Sequence, residues 1–224
     1  MRLSLPRRVI EPEWLDDAGA EAARASLEDL QRLNRTWGGY SSLRRLLDRA
    51  VPDRDRSFTV LDVGAASGDM GREMARLRPL ASVTSLDRVP HHLAAAAAPK
   101  IVGDAFQLPL ADRSFDFVFS SLFLHHFSDE DVVRLFREFA RVAREGVLAV
   151  DLQRHPISHA FVPATRTLLG WDPITVHDAP VSVAAGFNAP ELRGLAEAAG
   201  LVEPEIWTNG FAFRLTLLGR IGPR

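Results

Sequence analysis

Apolar residues recur along this chain with two alternating periods. Phe58 to Val63 is an apolar, β-branched run bounded upstream by Pro52-Asp53-Arg54-Asp55, which predicts a buried parallel strand. Small residues fill Gly64 to Gly68, and the spacing from Met70 to Arg78 predicts a helix. Ser82 to Leu86 predicts a second strand ending at Asp87, and His91 to Ala98 a short alanine-rich helix stopped by Pro99. Ile101-Val102 reads as a third strand and Ser114 to Ser121 as a fourth. Ser128 caps a helix with Asp129, Glu130 and Asp131 in its first turn, buries Leu135, Phe136 and Phe139, and ends at Gly146. Val147 to Leu152 is the fifth strand.

The flanks differ. Residues 1–12 read as an irregular, partly mobile arm. Helical spacing runs from Trp14 to Leu33, breaks over Asn34 to Tyr40 at the glycines, and resumes after a cap at Ser41 or Ser42 as far as Ala50. Residues 153–187 interrupt the strand–helix rhythm with four prolines and one helix from about Ser158 to Leu169. Asn188-Ala189-Pro190-Glu191 then starts a helix to Ala199, and Leu201–Thr208 and Phe211–Leu218 read as strands joined by Asn209-Gly210. The expected layout is a helical leader or lid over 1–52 and a core over 53–224. The core carries a substrate-covering insertion at 153–187.

Composition narrows the function. A hydrophobic content of 46% supports a real core, and a net charge of −2 gives no general case for nucleic acid or an anionic membrane as partner. There is no cysteine, so thiol catalysis and disulfides are excluded. No apolar run reaches membrane-spanning length, and Leu3 to Pro6 is too short for a signal segment. The expectation is a cytoplasmic protein, monomer or homodimer, acting on a small molecule.

The candidate chemistry starts at the turn after the first strand. Gly64 lets a ligand approach the backbone, Gly68 lets the turn close onto a helix, and Asp62 places a carboxylate at the strand's C-terminal edge. The spacing is Asp62-x-Gly64-x-x-x-Gly68 rather than the dinucleotide fingerprint. Asp87, about twenty residues past the turn, stands where an acid accepts ribose hydroxyls. A nicotinamide-dependent oxidoreductase is the competing reading, and the acid before Gly64 and the terminal hairpin argue against it.

Val60 to Gly68, Asp87, Gly103-Asp104-Ala105 with Leu108-Pro109, and Ser114-Phe115-Asp116 with Leu124-His125-His126 occur in one order. Together they resemble the class I S-adenosylmethionine-dependent methyltransferases, closest to the branch typified by ubiquinone and menaquinone biosynthesis. The resemblance covers roughly Phe58 to Leu218. It implies an α/β, Rossmann-like sheet of seven strands, mostly parallel with an antiparallel last strand and helices on both faces. It also implies S-adenosyl-L-methionine as cofactor and S-adenosyl-L-homocysteine as product. The cofactor-binding set it implies is Asp62, Gly64, Ala65, Ser67, Gly68, Asp87, Arg88, Gly103, Asp104, Ala105 and Ser120, with Trp37 and Tyr40 from the leader. Asp104 is placed for the adenine amino group, with Ala105 and Phe106 flanking the ring.

An oxygen acceptor of phenol or enol type needs deprotonation, so a base is expected. His125, His126, His155 and His159 are the candidates, with His177 nearby in sequence to the insertion's helix. His155 and His159 share a helical face but lack an acidic companion in sequence, so no metal site is expected. Trp37, Tyr40, Phe123, Phe127, Phe161 and Trp171 are candidate pocket aromatics, and Arg154 and Arg166 candidate carboxylate binders. The expected reaction is O-methylation of an aromatic, polyketide-like or quinone-like metabolite. The alternatives are C-methylation of an activated ring carbon, or a non-catalytic cofactor-binding protein.

Overall fold

A computed structural model describes residues 7–210 and 212–222. Seven strands form one sheet: β1 (Phe58–Val63), β2 (Ala81–Asp87), β3 (Lys100–Val102), β4 (Phe115–Ser121), β5 (Ala143–Leu152), β6 (Val202–Asn209) and β7 (Arg214–Arg220). Their spatial order is β3-β2-β1-β4-β5-β7-β6, and only β7 runs antiparallel to its neighbours. The chain moves outward from β1 through β2 to β3, then returns to add β4 and β5 on the other side. That reversal opens a crevice beyond the C-terminal ends of β1 and β4, where open α/β sheets hold ligands.

Alternate residues of each central strand feed opposite layers. Leu61, Val63, Val118, Val147, Leu215 and Leu217 pack against α5 (Asp129–Val142) and α8 (Ala189–Ala198). Phe58, Val60, Phe117, Phe119, Leu148 and Leu218 pack against α3 (Gly39–Ala50) and α4 (Asp69–Leu77). Strands buried on both faces explain why the sequence shows near-continuous apolar runs rather than clean alternation. Asn188 and Glu191 form a reciprocal capping box at the start of α8, as the sequence signature predicts.

Several boundaries depart from the sequence expectation. The single helix expected from Trp14 divides into α1 (Trp14–Asp17) and α2 (Ala20–Thr36), because Ala18 and Gly19 are extended. Asp178 caps the start of α1 by accepting the backbone N–H groups of Trp14 and Leu15, both at 3.0 Å. Ser41 and Ser42 lie inside α3 instead of capping it; Gly38, at φ +92°, makes the turn. The expected helix after His91 is a single 3₁₀ turn, His92–Ala95. Helix α5 ends at Val142, and Gly146 lies within β5, since the sheet captures the chain as soon as Ala143 becomes extended.

The insertion holds two helices, α6 (Pro156–Leu169) and α7 (Pro173–Ala185). Its prolines read as loop, yet Pro156 and Pro173 occupy first-turn positions, where the missing N–H costs nothing. Packing of Val162, Trp171, Val176 and Ala179 against Leu30 and Leu33 of α2 offsets the interior Pro163 and Pro180. Of the expected N-terminal arm, residues 1–6 and Phe211 of the hairpin lie outside the described residues. Arg8 is anchored rather than loose. It donates to the carbonyls of Ala185 (2.7 Å) and Phe127 (2.9 Å), pairs with Asp129, and stacks on Phe187.

A Cβ at Gly38 would stand 2.0 Å from the Ala212 methyl, with the backbone already left-handed. Gly38→Ala is therefore expected to lower unfolding free energy by about 2 kcal/mol or more, from backbone strain plus the clash. Urea unfolding checks this; an unchanged midpoint would show that the leader does not bear on the β6–β7 turn.

Candidate active site at the sheet's C-terminal edge

The turn after β1 is built for close approach. Gly64 sits at φ +68°, and a Cβ there would meet the Phe123 ring at 2.4 Å. Ala65 N–H donates to Leu86 O at 3.0 Å and Gly68 N–H to Ala65 O at 2.7 Å, fixing the loop before α4. Ser67 and Gly68 are buried beneath it. Asp62 is 1% exposed, and its Oδ2 has no partner among the described residues. Burial, then the nearby Asp69 and Asp87 charges, push its pKa well above the usual carboxylate range. The hydroxyls of Ser120 and Ser121, at the end of β4, and Asn34 Oδ1 are also buried and unpartnered. Such groups at one sheet edge are polar capacity that a ligand can satisfy.

Asp87 is already oriented. Its carboxylate accepts the N–H groups of Ala66 (3.0 Å) and Val89 (2.9 Å). Burial alone would raise its pKa, but His92 and these two amides hold it below the usual range. Asp104 Oδ1 accepts Phe106 N–H at 2.9 Å, and Gly103 N–H donates to Asp87 O at 3.1 Å, so the two acidic loops are linked.

A cavity of about 680 Å³ opens over this edge. Gly64, Asp87, Arg88, Gly103, Asp104, Ala105 and Phe106 line one end. Leader and insertion residues, including Glu13, Leu30, Leu33, Trp37, Ile157, Phe161 and Val183, line the other. Asp62, Ala65, Ser67, Gly68 and Ser120 lie behind the lining rather than in it, while Ala66 is exposed to the cavity. Tyr40 does not reach this cavity: it lies in a separate depression with Arg32 and Arg35. Trp171 is likewise outside, buried under the Arg32 guanidinium at 3.9 Å.

The candidate histidines separate. His125 and His126 line the cavity; His155 and His159 do not. His155 Nδ1 accepts Ile157 N–H at 3.2 Å, capping α6, and its ring stacks on Phe213. His177 stacks on Trp14 at 3.7 Å. Arg154 is consumed by Glu191 and the Gly186 carbonyl, and Arg166 is exposed.

Three further residues escaped the sequence reading. Asp151, at the end of β5, lies 2.7 Å from His125 Nδ1 and also accepts the N–H groups of Leu124 and Leu152. Glu13 lies 3.7 Å from His125 Nε2 and 3.9 Å from His126 Nδ1, and accepts Ser182 Oγ–H. Arg214 opens β7 and lines the cavity. Asp151 could have been found from its place at a strand's ligand edge; Glu13 and Arg214 carry no local signal.

Burial works against a charge on His125, but Asp151 and Glu13 outweigh it and raise its pKa to about 9. His126 moves the other way: burial and the His125 charge lower its pKa. Adjacent imidazoles, stacked at 4.3 Å, thus hold opposite protonation states near neutrality. Donor atoms of Glu13, His125 and His126 lie within 4.8 Å of one another.

A doubly covered sheet, a glycine turn before a helix N-terminus, and two linked acidic loops define a nucleotide-type cofactor enzyme of the α/β class. The family model for a methyltransferase domain matches residues 61–150. A demethylmenaquinone methyltransferase of Roseiflexus sp. (strain RS-1) is 32% identical over 81% of this chain and 85% of its own length. The chain belongs to the class I S-adenosylmethionine-dependent methyltransferases, and S-adenosylmethionine is its cofactor. A malonyl-[acyl-carrier protein] O-methyltransferase of Coxiella burnetii is 36% identical over 46% of this chain and 36% of its length. Among solved structures, human N-acetylserotonin methyltransferase in complex with SAM superposes with a TM-score of 0.61 at 18% identity, over 88% of this chain and 56% of that one. Magnesium protoporphyrin IX methyltransferase of Synechocystis PCC 6803 with bound SAH gives 0.57 at 13% identity, over 83% and 84%. At those identities the structures share the fold. No helix among the described residues is long and apolar enough to cross a membrane.

The raised His125 pKa makes stability depend on pH. The folded state holds the proton between about 6.5 and about 9, where an unfolded histidine has lost it. His125 therefore contributes fully below pH 6.5, and its contribution, on the order of 3 kcal/mol, disappears as pH rises through 9. Urea unfolding between pH 6 and 9.5 should show this decline, and His125→Gln should flatten it. Parallel profiles for the two proteins would contradict the assignment.

Proposed function

We propose that this methyltransferase acts on a small molecule by O-methylation of an aromatic, polyketide-like or quinone-like metabolite. The observation that supports this best is the split histidine pair. His126 stands at the cavity wall with its proton affinity lowered, beside a protonated His125 fixed by Asp151. His126 can therefore accept a hydroxyl proton at neutral pH. Phe123, Phe127 and Phe161 offer an apolar surface for a ring-bearing acceptor.

The proposed cofactor-binding set is the core part of the one expected from the sequence; Tyr40, in a separate depression, is left out of it. Asp87 would hold the ribose, using lone pairs its two amide bonds leave free. Asp104, Ala105 and Phe106 would hold the adenine, and Gly64 with the groups around Asp62 and Ser120 the amino-acid portion. The bound cofactor supplies an electrophilic methyl carbon. The protein aligns the acceptor oxygen, takes its proton and excludes water. On this reading residues 1–52 are a lid over the 53–224 core, and the 153–187 insertion roofs the acceptor end. Leader and insertion side chains on the cavity wall support it.

C-methylation is the second reading. It is favoured by likeness, over 81% and 83% of this chain, to proteins named demethylmenaquinone methyltransferases.

Asp87→Ala should weaken S-adenosylhomocysteine binding about tenfold or more with the fold intact, since charge-assisted bonds are lost. Calorimetry beside circular dichroism reads both, and unchanged affinity would remove Asp87 from the ribose. For the reaction, methyl-labelled S-adenosylmethionine is offered to a panel of phenols, quinols and polyketides. Label on oxygen is expected, with His126→Gln lowering kcat by about 10² to 10⁴ at similar KM. Label on ring carbon would select the second reading, and a fully active His126→Gln would dismiss the base.

A further inference from the structure

Arg214 is buried, 6% exposed, at the first position of β7, between Leu152 of β5 and Asn209 of β6. Its Nε has no hydrogen-bond partner, and no ion pair reaches its guanidinium among the described residues. The favourable charge acting on it is Asp151, but that carboxylate is already committed to Phe123, Leu124, Leu152 and His125. A buried, unpaired guanidinium is costly, and structural arginines in this chain avoid the state. Arg154 has Glu191 and Arg78 has Asp48. Arg214 instead lines the cavity, whose wall also carries Trp37, Leu152, Phe161 and Phe213.

We propose that Arg214 is the anion-binding residue of the methyl-acceptor site, and that the acceptor is an apolar, ring-bearing molecule with a carboxylate. The planar guanidinium fork matches a carboxylate and gains strength where water is excluded. The aromatic wall supplies the complementary surface for the rest of the molecule. The cofactor's own carboxylate is the competing occupant. Position argues against it: β7 is separated from β1 by β4 and β5, so Arg214 lies about 14 Å along the sheet from the Gly64 cradle. The inference rests on the cavity being the acceptor chamber of the proposed reaction.

Two titrations separate the possibilities. S-adenosylhomocysteine is first titrated into wild type and Arg214→Gln. Benzoate, naphthoate and biphenylcarboxylate, each against its neutral primary amide, are then titrated into the S-adenosylhomocysteine-saturated proteins. At least one acid should bind wild type about tenfold or more tightly than its amide. Arg214→Gln should erase that preference, Arg214→Lys should keep part of it, and S-adenosylhomocysteine affinity should change less than twofold. Without ligand, Arg214→Gln should melt no lower than wild type, because an uncompensated charge has been removed. If S-adenosylhomocysteine binds and no acid is preferred, Arg214 loses this role while the methyltransferase reading stands. A tenfold loss of S-adenosylhomocysteine affinity in Arg214→Gln would give the residue to the cofactor. A lower melting point with the acid preference intact would make it structural. Absence of S-adenosylhomocysteine binding in wild type would instead strike the reading on which the inference rests.

Discussion

The buried contact between Asp151 and His125, 2.7 Å long, is the joint on which the ligand edge depends. Asp151, next to last in β5, takes the amides of Phe123 and Leu124 just past β4, so one carboxylate ties the turn leaving one strand to the end of its neighbour. His125 extends that order outward. Its other nitrogen faces Glu13 of the leader, Glu13 accepts Ser182 of α7, and the His125 carbonyl receives Arg8. Core, leader and insertion thus meet through a single chain of polar contacts. A fully buried network of this kind is favourable only when each member is satisfied, which explains why so many backbone groups converge on Asp151.

Around this joint the protein tolerates polar groups that no core would otherwise keep. Asp62 Oδ2, Ser120 Oγ, Asn34 Oδ1 and Arg214 Nε are all buried and unpaired, and the first two lie near the paired ends of β1 and β4. Each costs stability unless a ligand completes it. The two apolar layers offset that cost, with Phe136 and Phe139 on one face and Phe117 and Phe119 on the other wholly removed from solvent. Stability is concentrated in the layers and binding capacity at the edge, a division that follows from where an open sheet leaves its strand ends.

The insertion shows the same economy. Pro156 and Pro173 begin helices whose caps, His155 and Asp172, come from the residue just before. The two helices pack chiefly on each other, and α7 with Trp171 packs in turn on α1 and α2. Their presence over the cavity therefore depends on the leader, and the leader's place depends on Asp178, Asp29 and Glu13 reaching across to or from α7.

Sequence alone determined the sheet, the glycine turn and its acids, because these rest on local facts. A strand needs a short apolar run, a close backbone approach needs Gly64, and a cofactor of this kind needs carboxylates at strand ends. It also marked the caps Ser128 and Asn188 by residue type. It missed α7 because proline density resembles loop when the first-turn positions are not yet known. It could not separate His125 and His126 from His155 and His159, since all four are histidines near the same edge. Only tertiary structure placed Asp151 against one of them and a helix start against another. Glu13 and Arg214 were beyond sequence for the same reason. A charge becomes part of a site through the partners it has or lacks, and those lie scores of residues away in the chain.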